Sequence, residues 1–134
     1  MTREIKFRAK IVEDIEPLAM KKGNWVEGHY YEDLYQGEWC SWIQECNDII
    51  HYKVDKNTLG QFTGLLDKNG KEIWEHDIVD WDGVMLVVKF IDGSFCMQEN
   101  YEDATLHDLF FERDEINVIG NVFDNPELLK TDTL

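Results

Sequence analysis

Glu75-His76-Asp77 sets an imidazole between two carboxylates and is the run in this sequence best suited to chemistry. Such a trio could relay a proton or help hold a divalent ion. Adjacent residues on an extended chain point to opposite faces, however, so the three converge only if the backbone turns sharply between them. A surface turn is the favoured reading. The four histidines, His29, His51, His76 and His107, show no His-x-x-x-His spacing. Cys40 and Cys46 have no matching second pair, which fits zinc poorly and buried apolar cysteine better. No glycine-rich phosphate loop and no Gly-x-Ser-x-Gly nucleophile turn occurs. The expectation is therefore a non-enzyme, with no catalytic residue, no metal and no cofactor.

The elements that position these residues are mostly strands. Ile5 to Ile11 alternates apolar and basic residues, the period of a half-buried strand. Trp25 to Tyr31 and Ile49 to Val54 are rich in β-formers. Residues 32 to 48 read as an irregular excursion with a short strand at Trp39 to Ile43. In the stretch Gly60 to Trp81, Asp67-Lys68-Asn69-Gly70 is a turn, because Asn-Gly accepts the positive φ angles a tight hairpin needs. The strands 77–81, 84–91 and 94–98 follow, joined by Asp82-Gly83 and Asp92-Gly93. That is a meander whose spacing suits a small barrel or sandwich. The stretch reads as a folding device that starts this barrel. Leu106, Leu109 and Phe110 suggest a short helix over 103–111, and Ile116 to Val122 a closing strand. Asn125-Pro126-Glu127 has the form of a helix start. Phe7, Trp25, Phe62, Ile73, Ile78, Val87 and Ile119 are the expected core.

With 134 residues, 43% of them hydrophobic, the chain can bury a real core without disulfide or metal. Residues 1–134 are expected to form a single compact domain, with an N-terminal β lobe over 1–56 and a barrel lobe with a C-terminal helical turn over 57–134. The net charge of −15 disfavours direct nucleic-acid binding, which depends on Lys and Arg neutralising phosphates. From Asp92 onward there are 11 acids and 2 bases, so the C-terminal third is the acidic pole. The opening MTREIKFRAK has no apolar core of a secretory signal, and no run is long enough to span a membrane. A cytoplasmic protein with reduced thiols is expected.

Several blocks resemble the YopX family. They are Arg3 to Ala9, Gly23 to Gly28, Thr58 to Leu65, Asp67 to Glu75, Asp77 to Val79, and Val118 to Leu129, in order over nearly the whole chain. The resemblance implies a protein encoded by phages or prophages of bacteria, a mainly β fold, and a C-terminal part similar to an SH3-type barrel. It carries over no activity and no catalytic residue. At one place the chain departs from it: the family usually reads Glu-Gly-Asp where this sequence has Glu75-His76-Asp77. Glycine is the default where φ must be positive, so His76 is expected in a left-handed turn with its ring outside, near solvent.

The aromatics Trp25, Tyr30, Tyr31, Tyr35, Trp39 and Trp42 are interleaved with acids rather than bases, which favours core packing or a protein-binding surface over base stacking. The expected function is that of an accessory protein acting on a host or phage protein through contacts. The alternative is an acidic decoy that mimics nucleic acid and occupies a host DNA-binding protein. Trp39, Trp42, Glu99, Glu102, Asp103 and Asp108 are the candidate interaction surface, and exposed Trp39 and Trp42 would also permit a homo-oligomer.

Overall fold

A computed structural model describes residues 4–129. The fold is mainly β and has two compact units, Met1–Gln61 and Phe62–Leu134.

The first unit contains β1 (Phe7–Ile11), β2 (Trp25–Tyr35), β3 (Glu38–Gln44) and the first part of β4 (His51–Leu66), which continues into the second unit. Every pairing is antiparallel, β1 to β2, β2 to β3, β3 to β4 and β4 back to β1, so the four strands close into a small ring. Alternation along each strand puts Ala9, Ile11, Val26, Ile43, Tyr52 and Val54 inside. The β1–β4 register shifts between Arg8 and Lys10. Buried Thr58 takes up the shift, accepting the Lys10 amide at 2.9 Å and donating to the Asp55 carbonyl at 2.7 Å. Expected core residues Phe7 and Trp25 are half-buried. Trp25 lies under cations, with Arg8 at 4.8 Å and Lys10 at 5.3 Å from its ring centroid.

Residues 32 to 48 correct the expectation of an irregular excursion. Most of them belong to a regular β2–β3 hairpin, paired from His29↔Gln44 to Tyr35↔Glu38. Gln36 and Gly37 form its two-residue turn at φ 52° and 84°. Positive φ at both centres matches the right-handed twist of the flanking strands. A glutamine in the first position hides this turn from a reading that looks for Asn-Gly or Asp-Gly.

The second unit contains β5 (Glu72–Trp74), β6 (Asp77–Trp81), β7 (Val84–Ile91), β8 (Ser94–Gln98), β9 (His107–Asp108), α1 (Leu109–Glu112) and β10 (Ile116–Asn121). The expected meander is present: β6, β7 and β8 are successive antiparallel neighbours. Asp82-Gly83 and Asp92-Gly93 join them with φ positive at all four residues. The last strand returns to pair with β6, giving the order β10-β6-β7-β8-β9, and a 3-10 turn at Arg113–Glu115 precedes it. This is the SH3-like barrel. Its core is Ile73, Val79, Leu86, Val88, Met97, Leu109 and Ile116.

Two expectations need correction here. The helix over 103–111 is only α1, because Asp108 caps it late by accepting the Phe111 amide; Leu109 is buried, whereas Leu106 and Phe110 are exposed. Ile119 is half-buried and Val118 takes the core position, because alternation from buried Ile116 points Val118 inward and Ile119 falls at the register shift between Val118 and Gly120. Pro126–Leu129 forms a 3-10 turn with Leu128 and Leu129 half-buried. Among the described residues no helix is long and apolar enough to cross a membrane.

Candidate functional site

The Glu75-His76-Asp77 run is a turn between β5 and β6. His76 has φ 77°, the left-handed conformation expected of it. Its amide donates to the Val88 carbonyl at 2.8 Å and its carbonyl accepts the Val122 amide at 3.0 Å. The Asp77 carboxylate turns inward, almost wholly buried, and accepts the Trp74 amide at 2.8 Å. The His76 ring is not free in solvent as expected. It lies edge-on to Phe123, 5.3 Å between centroids, with Nε2 3.7 Å from Glu75 Oε2. The three side chains therefore hold a turn and do not converge on one point. Among the described residues no group of three His, Cys, Asp or Glu side chains could hold a metal ion.

The cysteines divide differently from expectation. Cys40 is buried, but Cys46 is exposed, because it lies just past the end of β3. Its Sγ is 3.8 Å from His29 Nε2. Beside this pair, Trp25, Gly28, Glu45 and Cys46 itself line an open cavity of about 440 Å³. The sequence separates His29 from Cys46 too widely for a motif to show; only the hairpin register brings them together.

The hairpin carries the largest display of aromatic side chains. Alternation sends Tyr31, Tyr35 and Trp42 to one face and Tyr30, Leu34 and Trp39 to the other. On the first face Tyr31 stacks on Trp42 at 6.4 Å, Tyr35 meets Trp42 edge-on at 5.9 Å, and the Trp42 indole N–H donates to Asp33 Oδ1 at 2.7 Å. The Tyr31 hydroxyl meets His51 Nδ1. Burial, then the negative charge of Asp33, raises the Tyr31 pKa above its usual value. On the other face Glu32 accepts the Tyr30 hydroxyl and pairs with Lys56 at 2.9 Å. The Tyr30 bond, then Lys56, lowers the Glu32 pKa. Beyond this bracing, Leu34 and Trp39 pair directly across the hairpin near its tip, 61% and 72% exposed.

Of the expected surface residues, then, Trp39 is exposed while Trp42 is half-buried, and the two lie on opposite faces of β3. Leu34 and Tyr35 join Trp39 at the tip; the sequence reading names Tyr35 among the aromatics but misses Leu34, for want of the turn at Gln36-Gly37. The four acids belong to the second unit. Glu99 lines a shallow cleft with Met85, Tyr101 and Leu128. Glu102 and Asp103 are exposed in the loop before β9, and Asp108 caps α1.

A family model described as YopX protein matches residues 6–130. The chain belongs to the YopX family. Two solved structures share the fold at a TM-score of 0.52. Protein EF1440 from Enterococcus faecalis is 25% identical, with 96% of this chain and 100% of that one covered. The YopX protein from Bacillus subtilis is 19% identical, with 98% and 100% covered. No curated protein matches the sequence. The YopX likeness over nearly the whole chain includes both the hairpin and the His76 turn, but it assigns neither of them a role.

Proposed function

We propose that the chain is a phage or prophage accessory protein of the bacterial cytoplasm that acts by contact with another protein and without catalysis. The tip of the β2–β3 hairpin is its contact surface. The observation that carries this is Trp39, 72% exposed beside Leu34 at a tip braced from below by the Tyr30–Glu32–Lys56 and Tyr31–Trp42–Asp33 contacts. Adjacent exposed large apolar side chains on a fixed hairpin mark an interaction site, and tryptophan leads the residues that dominate interfaces.

The test is affinity capture from lysogenic bacterial cells with the full chain and with Trp39→Ala. A partner retained by the first and lost by the second supports the reading. Turnover in hydrolase, nuclease or transferase assays, abolished by a point substitution, would overturn it. The decoy reading has less support. In the acidic third, Asp108 caps a helix, Asp92 and Asp103 occupy positive-φ turns, and Glu115 accepts the Trp81 indole N–H at 3.2 Å. Local geometry accounts for these acids without a mimicry role.

A further inference from the structure

We propose that the hairpin tip takes up a segment of a partner protein as an added antiparallel β-strand, one that alternates apolar and basic residues; this rests on the protein-contact reading above. β1 pairs with β2 only from Trp25 to Gly28, whereas β2 runs on against β3 from His29 to Tyr35. Beyond Gly28, the edge of β2 that faces away from β3 carries no strand among the described residues. The two-residue turn makes Tyr35 and Glu38 a hydrogen-bonded pair, and such pairs alternate along a hairpin with pairs whose N–H and C=O groups point outward. Leu34–Trp39 and Glu32–Ser41 are pairs of the second kind. Glu32 and Leu34 therefore present their backbone groups along the open edge of β2, and every residue from Glu32 to Tyr35 is exposed. An edge of this kind is a template for another strand.

Further down the same edge, β1 shows what β2 accepts. Its Ala9 and Ile11 go inside with Val26, while Arg8 and Lys10 lie over Trp25 on the opposite face. Alternation along β2 carries the Val26 face on to Leu34 and the Trp25 face on to Asp33. A strand that continues the edge with the pattern of β1 lays an apolar side chain against Leu34, with Trp39 beside it, and a basic one against Asp33. Asp33 accepts the Trp42 indole N–H, and among the described residues no cation pairs with it. Glu32 needs none, since Lys56 already pairs with it. A second copy joining edge to edge would set Glu32 or Asp33 against its own image, directly or diagonally, and like charges across a strand pair are destabilising. An acidic segment meets the same repulsion.

The test uses the full chain and capped octapeptides, with binding and backbone amide exchange followed by NMR. The alternating Val-Arg peptide is expected to bind and to slow exchange at the outward amides of Glu32 and Leu34, while Asp33, already bonded within the hairpin, changes little. Methylating the valine nitrogens of the peptide should abolish binding, because those N–H groups face the edge; methylating the arginine nitrogens, which face solvent, should not. Trp39→Ala and Asp33→Asn should each weaken binding roughly fivefold or more, while Glu102→Gln leaves it unchanged. Failure of the Val-Arg peptide to bind, or binding without protection at Leu34, would overturn the proposal. Equally tight binding of an alternating Gly-Arg peptide would reduce the effect to diffuse charge attraction and overturn it too. So would a Trp39-dependent dimer in sedimentation, which would make the occupant a second copy. A photo-crosslinker placed at Gln36 in the bacterial host separates the two layers. Trp39-dependent adducts on a helical or acidic segment overturn this inference alone. The absence of any Trp39-dependent adduct overturns the protein-contact reading as well.

Discussion

The carboxylate of Asp67 accepts the backbone amide of Val118, 51 residues further along the chain, at 2.9 Å. Its other oxygen accepts the amides of Asn69 and Lys71 at 2.8 and 2.9 Å. The Lys68 backbone amide donates a hydrogen bond to the Ile116 carbonyl, and the Asn69 side chain donates to that of Asn117 at 2.6 Å. The Asp67–Gly70 turn thus does more than reverse the chain. It fixes β10, the strand that completes the barrel.

Asp67→Asn is expected to destabilise the protein by about 2–3 kcal/mol at pH 7, because the carboxylate accepts hydrogen bonds from three backbone N–H groups on its two oxygens and an amide would set an NH2 donor against one set of them. The wild type should also be acid-sensitive at this site. Burial pushes the Asp67 pKa up, but the amides of Val118, Lys71 and Asn69 outweigh it, so the folded value lies below the ordinary one. The unfolded carboxyl titrates near ~3.9. The stabilisation is therefore complete above about pH 4 and is lost as pH falls through the lower folded value. Urea unfolding at several pH values should show this loss in the wild type and a flatter profile in Asp67→Asn.

Gly28→Ala should be far more damaging than Gly37→Ala. A β-carbon on Gly28 would lie 2.0 Å from the Gln44 carbonyl oxygen and 2.9 Å from the Glu45 Cα, all of it backbone. Neither strand can yield without breaking the hairpin, so a loss of about 3 kcal/mol or more is expected. At Gly37 the space is open and only the positive φ is strained, which costs about 1 kcal/mol. Denaturant midpoints of the two variants decide the matter.

His76→Gly should be close to neutral. It relieves a β-carbon at φ 77°, a gain of about 1 kcal/mol, but it removes the ring from Phe123 and from Glu75. His76→Ala keeps the strain and loses the ring, so it should cost about 1 kcal/mol or more. A Gly variant clearly less stable than the Ala variant in thermal melts would show that the backbone at 76 is not the constraint.

Trp39→Ala is expected to change stability by less than about 0.5 kcal/mol, as an exposed substitution. Ile43→Ala, on the same strand but fully buried, should cost about 2–5 kcal/mol. Comparable losses for the two in urea unfolding would mean that Trp39 packs inward rather than presenting a surface.

Cys46 should be the thiol that alkylates in the folded protein, because Cys40 and Cys96 are buried. Mass spectrometry after brief iodoacetamide treatment should find one modified site under native conditions and all three cysteines in urea. Early labelling of Cys40 would contradict the packing of β3.

The legibility of this protein follows turn chemistry. Asp82-Gly83 and Asp92-Gly93 announce themselves, so β6, β7 and β8 can be placed from sequence with their partners. Gln36-Gly37 makes the same kind of turn with a residue that rarely signals it, so the longest hairpin reads as an irregular segment and Leu34 escapes notice. The resemblance foresees the positive φ at His76, through the glycine it replaces, but not the ring's contact with Phe123, which depends on the fold. Cys46 and His29 meet only through strand register. Period-2 alternation from Ile116 does point to Val118, but the apolar run Val118-Ile119 leaves the choice open until the pairing with β6 is known.

Ring closure in the first unit bears on the order of assembly. The β2–β3 hairpin can zip from its own turn, and so can the β6–β7–β8 meander, within microseconds for pairings this local. The seam between β1 and β4 has no such shortcut: Phe7 must find Gln61, and Ile11 must find Val54, after everything between them has been ordered. Contacts so distant in sequence pay their loop entropy before they return any stability, and they slow folding accordingly. On a ribosome the first strand would wait unpaired on its β4 side until β4 had emerged, leaving that flank as the nascent chain's most vulnerable surface.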